Sequence, residues 1–406
     1  MKILLCAYAC EPNRGSEPGI GWKWGYYLAL YTTHEVYVLT RLNNKKSIES
    51  YINENKTPHN LHFFYYDLPP FIIWLKHHGL SVNIYYSLWL YGASKYAQEL
   101  NQTYRFNIAH HITFGVFRDA SFLYKLHIPY IIGPVGGGEC TPPQLYPLYP
   151  FKHRIREHIR TCANHIALIN PFLIKTLNRS SLILCKTQDT KQLLKKWESK
   201  IKVQLELGVN KISYTQHQRD KHKFLYVGHF IPLKGIKLIL ESFLKYVKFY
   251  DDQAQITFIG KGIMETDIIK FSQEHKLEKN IQIIPWIEQD KLKSYYTNSY
   301  ILLFPSLHDS SGNVVLEALS NGLPVISLDC GGPASIQGPT LKDMIIATKN
   351  KEKEFITNNI VTKMQQLTSN PEYYYKMQQL SLRRANEFIW NNVINAYEKY
   401  LANFKS

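Results

Sequence analysis

Residues Leu302 to Ala334 read LLFPSLHDSSGNVVLEALSNGLPVISLDCGGPA. An apolar run, Ile301 to Phe304, ends in a polar loop from Ser306 to Gly312. A helix is expected from Asn313 to Ser320. Asn321-Gly322 closes it, Pro324 cannot continue it, and a second apolar run, Val325 to Leu328, begins. This is a strand–loop–helix–strand unit of a parallel sheet, with its loop on the carboxyl edge. Small residues and backbone N–H groups at a helix N-terminus suit a phosphate. Two carboxylates, Asp309 and Glu317, flank that turn. Carboxylates repel phosphates but accept hydrogen bonds from sugar hydroxyls, so the pair beside an anion-binding turn fits a nucleoside diphosphate sugar. A doubly wound protein without any ligand satisfies the same pattern, with Glu317 as a solvated helix acid.

Working outward, the same alternation recurs. Met1 to Ala9 reads as a buried strand, Glu11 to Gly21 as a glycine-punctuated loop, Trp22 to Tyr31 as a helix and Glu35 to Thr40 as a second strand. Further strands are expected at 61–66, 107–112, 130–132 and 182–185, with a helix at 84–100. The pattern restarts with a strand at Lys223 to Val227, a loop at Gly228 to Lys234 and a helix at Gly235 to Phe249. Strands follow at 255–259, 280–284, 301–304 and 325–328, and a helical tail from Asn370. The fold class is therefore α/β: two Rossmann-like doubly wound parallel-sheet domains facing a central cleft. The polar stretch Glu206 to Gln218 joins them, giving domains at 1–205 and 206–385. A helical tail at 386–406 is expected to pack back on the first.

The chain has 48 basic and 32 acidic residues among 406, a net charge of +16. That excess favours an anionic partner: a nucleic acid, an acidic membrane surface or a phosphorylated substrate. Zinc-finger spacing and Arg/Gly-rich tails are absent from the sequence, which argues against nucleic acid. The six cysteines form no CxxC pair, so reduced thiols in a cytoplasm are expected. Ala7-Tyr8-Ala9 imitates a signal-peptidase site, but a first strand explains the short apolar run better. The longest candidate span, Phe71 to Tyr91, is interrupted by Lys76, His77 and His78, so no membrane-crossing helix is expected. Lys152 to Arg160, with Ile155 and Ile159 interleaved, suits either an anionic bilayer surface or an ordinary solvated helix.

Four further segments carry chemistry. Arg14 to Trp22 reads RGSEPGIGW, glycines before a helix, where backbone can approach a ligand. It is not the GxGxxG fingerprint, and Thr40-Arg41 stands where a ribose-binding acid would end the second strand, so a nicotinamide enzyme is not expected. His110 and His111 end a strand, with Thr113, Phe114 and Arg118 following; they serve either a ligand or the core. Gly133 to Glu139, GPVGGGE, is a ligand loop, a lid or a connection, with Glu139 facing an acceptor in the first case. Gly228 to Gly235, GHFIPLKG, sets Lys234 at a strand end within reach of a diphosphate, or leaves it as a surface lysine.

Taken in order, these segments resemble glycosyltransferase family 4, of the two-domain GT-B fold, over almost the whole chain. The resemblance is to members with a GSExGxGW loop, a GPxGGGE segment and a GGPA ending, mostly bacterial enzymes of surface polysaccharide or lipopolysaccharide assembly. It implies a retaining hexosyl transfer from a nucleotide diphosphate sugar to a lipid-linked, lipopolysaccharide or exopolysaccharide saccharide. No metal ion and no cofactor are implied. The protein is then expected in the cytoplasm, peripheral to the inner face of the membrane.

By position, the resemblance puts Gly15 and Ser16 near the donor phosphates and His110 by the sugar, with His111 the second choice. Lys234 would hold the diphosphate, and Gly312, Asn313 and Val314 would offer it backbone N–H groups. Glu317 would match the second acid of Glu-x7-Glu and take the ribose; Asp309 stands for the first, near the sugar. Pro285 to Ile287 would lie beside the nucleobase, and Glu17, Arg118, Gly137 and Glu139 on the acceptor side. Two positions depart from the family: His229 replaces a phosphate-binding Arg, and Asp309 is one methylene shorter than Glu. Those departures keep a non-catalytic sugar- or nucleotide-binding protein in view; a sugar-nucleotide epimerase on the same architecture is a separate alternative.

Overall fold

The computed structural model describes residues 1–212, 214 and 218–404. Of the expected junction at 206–218, Ser213, Thr215, Gln216 and His217 lie outside the described residues. The chain forms two compact units. One comprises Met1–Gly138, Cys162–Glu206 and Trp390–Ser406; the other comprises Glu139–Thr161 and Leu207–Ile389. Each is built on a parallel sheet.

The first sheet holds β1 (Lys2–Ala7), β2 (Glu35–Arg41), β3 (Leu61–Tyr66), β4 (Ile108–Ile112), β5 (Tyr130–Val135), β6 (Leu182–Cys185) and β7 (Ile201–Val203). Its order is β3-β2-β1-β4-β5-β6-β7. The near-continuous apolar strands follow from burial on both faces. In β1, Leu4 and Cys6 enter one core with Tyr37 and Leu39, while Ile3, Leu5 and Ala7 enter the other with Val36 and Val38. The second sheet holds β8 (Lys223–Val227), β9 (Gln255–Ile259), β10 (Ile281–Ile284), β11 (Ile301–Phe304), β12 (Val325–Leu328) and β13 (Ile345–Ile346). Its order is β10-β9-β8-β11-β12-β13. Strand order reverses between β1 and β4 in one sheet and between β8 and β11 in the other. At such switch points the loops diverge and leave a crevice at the carboxyl ends of the strands.

The segment read first behaves as its pattern requires: β11, the helix Asn313–Ser320 and β12 fall at the residues expected. The glycine-rich turn after β1 does not. A loop to Gly21 is expected there, but the helix begins at Ser16 and runs to Tyr31. Proline is tolerated in a first helical turn, and Glu17 complements the helix N-terminus. Gly19 and Gly21 serve packing: a Cβ would stand 1.9 Å from the Arg14 carbonyl oxygen at one and 2.1 Å from that of Ala9 at the other. Strands β7 and β13, of three and two residues, are too short to show a period.

The units also differ from a single cut near Glu206. Residues 139–161 fall in the second unit, where Gln144 donates a hydrogen bond to the Thr348 carbonyl. The helix Trp390–Leu401 belongs to the tail expected on the first domain, and it groups with the first unit. There Trp390 stacks on Tyr27 with ring centres 5.0 Å apart and meets Trp24 edge-on. Tyr397 packs edge-on to Trp24 and donates its hydroxyl proton to His110 Nδ1 at 2.8 Å. Trp390 is 1% exposed. Trp390→Ala should cost about 3–5 kcal/mol of stability through the cavity it leaves. Circular dichroism melts should show a clear fall in Tm, and an unchanged Tm would mean that this helix does not hold the first unit together.

Candidate active site

At the β8/β11 switch point the second unit assembles charge and backbone donors. The loop after β8 carries Lys234, and Gly235 ends its short turn with φ at +70°. A Cβ there would lie 2.0 Å from the Pro305 carbonyl oxygen, so glycine lets the loop lie against the end of β11. Lys234 Nζ pairs with Asp309 Oδ2 and sits 5.5 Å from the centre of the Phe304 ring. Asp309 Oδ1 accepts the N–H groups of Ser311 and Gly312, each at 3.2 Å. Gly312 caps the helix Asn313–Ser320, and Asn313 and Val314 form its first turn. Lys234, Asp309 and Gly312 are thus brought together, with the helix start at Asn313 and Val314 adjoining them.

Glu317 lies one turn further along that helix and accepts the Tyr296 hydroxyl at Oε2, 2.8 Å. Burial and the neighbouring carboxylate raise the Tyr296 pKa well above its usual value, so the phenol stays a donor. Buried Arg219 reaches the carbonyls of Tyr296, Ser299 and Asn321, tying the ends of the two helices that carry Tyr296 and Glu317. The His229 ring is stacked 6.0 Å from Trp286, which lies between Pro285 and Ile287 and is 60% exposed. Pro285 is exposed as well, and Ile287 is half-buried.

Glu139 belongs to the second unit, where it is buried. Its Cγ is 3.4 Å from where a Gly331 Cβ would be, and that same Cβ would stand 2.1 Å from the Asp309 carbonyl oxygen. The acceptor-side expectation for Glu139 therefore meets a residue packed beside the Asp309 turn. His308 is next to it in chain; burial, then Arg160, lowers its pKa to about 4 against the opposing pull of Glu139, Glu157 and Asp309.

In the first unit the expected residues separate. Gly15 caps the helix Ser16–Tyr31 and has open space beside it, and Ser16 is exposed with φ at +56°. Glu17 accepts the Phe114 N–H at 2.7 Å, linking the turns after β1 and β4 across that switch point. Lys186, at the end of β6, stands 3.7 Å from Glu17 and 2.8 Å from Glu206. Arg118 donates to Asn164 and to the Gly137 carbonyl, which also receives the Asn164 amide. His110 has no exposed surface, and both ring nitrogens are engaged, Nε2 with the Gly133 carbonyl at 2.6 Å and Nδ1 with Tyr397. The role implied for His110 lay in its backbone or its ring, and this geometry speaks against the ring: period-two alternation in β4 aims it into the core that holds Trp24 and Tyr397. His111 points to the other face, bonded to the Tyr86 hydroxyl at 2.8 Å.

Four site residues escape a reading by motif. Trp286 sits inside the stretch expected beside the nucleobase, and its size is the signal. Lys186 ends a strand, the same positional cue that drew attention to the histidines. Tyr296 and His308 have no sequence signal of their own; each matters through its spatial neighbours. Among the described residues, no three or more His, Cys, Asp or Glu are grouped to hold a metal ion.

Residues 211–380 match the model of the family described as glycosyl transferases group 1. That stretch contains the whole second sheet together with Lys234, Asp309 and Glu317. An uncharacterized glycosyltransferase of Haemophilus influenzae is 23% identical over 271 residues, covering 63% of this chain and 69% of the relative. Among solved structures, sucrose-phosphate synthase from Thermosynechococcus elongatus aligns with a TM-score of 0.63 at 16% identity, over 99% of this chain and 98% of that one. The Anabaena protein HepE in complex with UDP aligns with a TM-score of 0.58 at 12% identity, over 99% and 100%. The solved structures share the fold of two Rossmann-like units, and the second unit carries the sequence pattern of glycosyl transferases group 1.

Burial lowers the pKa of His110 to about 3 and of His111 to about 4, and His308 is also at about 4. All three are neutral when folded and protonate near pH 6.5 when unfolded. Their contribution is complete above pH 6.5 and is lost as pH falls towards 4, by about 1 kcal/mol per pH unit each. Half-buried Asp119, raised to about 6 by desolvation, opposes them over part of that range, as does Glu206, whose pKa is also raised by burial. Urea midpoints should fall between pH 7 and 4.5. Equal midpoints at both ends would show that these imidazoles are not held neutral.

Proposed function

We propose that this enzyme transfers a sugar, with retention at the anomeric carbon, from a nucleoside diphosphate sugar to a saccharide acceptor. In keeping with the family 4 resemblance, the acceptor is a lipid-linked, lipopolysaccharide or exopolysaccharide chain. The observation that carries the reading is the convergence of Lys234 and the Gly312 N–H on Asp309 across the β8/β11 switch point. As the sugar–phosphate bond breaks, positive charge develops on the sugar ring and negative charge on the leaving diphosphate. Lys234 and the N–H groups from Gly312 to Val314 oppose that negative charge, so this reading needs no metal ion or cofactor. Glu317, oriented by Tyr296, accepts the ribose hydroxyls. Trp286 and His229 offer aromatic faces to the base, in place of the second phosphate cation that arginine would supply. No side chain at this turn is an evident nucleophile, which fits front-face attack with the leaving phosphate taking the acceptor's proton.

A thermal-shift screen against UDP, GDP, ADP and CMP, then their sugar conjugates, identifies the donor. Lys234→Ala should then lower transfer by roughly 30- to 4,000-fold, from loss of about 2–5 kcal/mol of transition-state stabilisation. Normal turnover in a folded variant would remove Lys234 from the diphosphate.

We also place the enzyme on the cytoplasmic face of an anionic membrane. No helix among the described residues is long and apolar enough to cross one. The helix Phe151–Ala167 turns an apolar stripe outward, with Phe151, Ile155, Ile159 and Ile166 all exposed. Lys152, Arg156 and His158 lie exposed along the same helix. Apolar insertion and attraction to acidic headgroups act together on such a surface. Paired Ile155→Ser and Ile159→Ser substitutions should reduce co-sedimentation with phosphatidylglycerol vesicles, while phosphatidylcholine vesicles bind neither form. Undiminished sedimentation would exclude this stripe as the contact.

A further inference from the structure

We infer that Asp309 is a resident anion: in the ligand-free enzyme its carboxylate holds the place of a donor phosphoryl group, and donor binding exchanges one for the other. The inference rests on reading this turn as the diphosphate site. Lys234 and the Gly312 N–H, both assigned above to the diphosphate, each meet an oxygen of Asp309. Lys234 Nζ is paired with Oδ2, and the Gly312 N–H, together with that of Ser311, points at Oδ1. A carboxylate and a phosphoryl group present the same thing to these donors, oxygens sharing negative charge. Both cannot occupy the cradle, because like charges at contact distance repel.

The local backbone explains why the carboxylate folds inward. The Asp309 carbonyl accepts the Gly332 N–H at 2.7 Å, and the Gly331 backbone lies hard against that carbonyl oxygen. With the main chain pinned, the side chain's freedom is rotation about its own bonds. An aspartate is of the length that reaches N–H groups two and three residues on. One more methylene would carry the carboxylate past them. The departure from the glutamate that the family resemblance implies thus has a physical consequence: the shorter acid can close on its own turn. Displaced by the donor, the carboxylate is released from Lys234 towards solvent and sugar. Asp309 then sets donor affinity as well as any contact it makes with the sugar.

Calorimetry with inorganic pyrophosphate and UDP tests this on the full chain. Asp309→Asn keeps an acceptor for the turn and removes the charge. It should bind pyrophosphate and UDP about tenfold more tightly than wild type, equivalent to about 1.4 kcal/mol. Asp309→Ser, which also caps the turn without charge, should do the same and guards against a folding defect in one variant. In a Lys234→Gln background, Asp309→Asn should give no such gain. If wild type binds UDP but neither Asp309 variant binds more tightly, the resident-anion role is wrong and the donor-site reading survives. If no form binds UDP, GDP, ADP or pyrophosphate, both are wrong.

Discussion

In the second sheet β8 lies between β9 and β11. That order sends the loops after β8 and β11 apart, and the chemistry of the unit depends on the crevice they leave. Lys234 comes from one loop and Asp309 from the other, and their ion pair spans the reversal. Glycine makes the approach feasible: Gly235 lies against Pro305, and Gly331 against Asp309, where any side chain would collide. The first sheet has the same reversal between β1 and β4, spanned by the bond from Phe114 N–H to Glu17. Two copies of one topological constraint therefore decide where polar groups gather in each unit.

The sequence was most legible where periodicity and punctuation agree. Strands β8, β9, β11 and β12 and the helix Asn313–Ser320 are apolar runs bounded by Gly, Pro or Asn, and they fall where the pattern puts them. The turn after β1 was misread because glycine has two uses. Gly19 and Gly21 allow backbone-to-backbone packing, and only Gly15 has open space. The histidine pair stayed open between ligand and core for a related reason. A strand end marks an edge, but alternation decides the face, and His110 faces inward. Residues 139–161 show a further limit: membership of a unit depends on long-range packing that no local window contains.

Within the site, the sequence supplied Lys234, Asp309, Glu317 and the Gly312 helix start, all of which carry a spacing signal. It could not supply their partners. That Tyr296 holds Glu317, or that Trp286 stacks on His229, depends on residues brought together from separate elements. The stack also changes the meaning of a departure from the family pattern. Histidine in place of arginine reads as lost charge in one dimension; beside an exposed tryptophan it reads as a change from charge to aromatic surface.

The helix Trp390–Leu401 closes the core of the unit that begins at Met1. During synthesis, β1 to β7 emerge long before the residues that cover Trp24 and engage His110. The second unit can complete its sheet while the first still exposes part of its apolar interior to chaperones and to other chains. The order of maturation is therefore the reverse of the order of translation: the unit made first is finished last, only once Leu401 has cleared the ribosome.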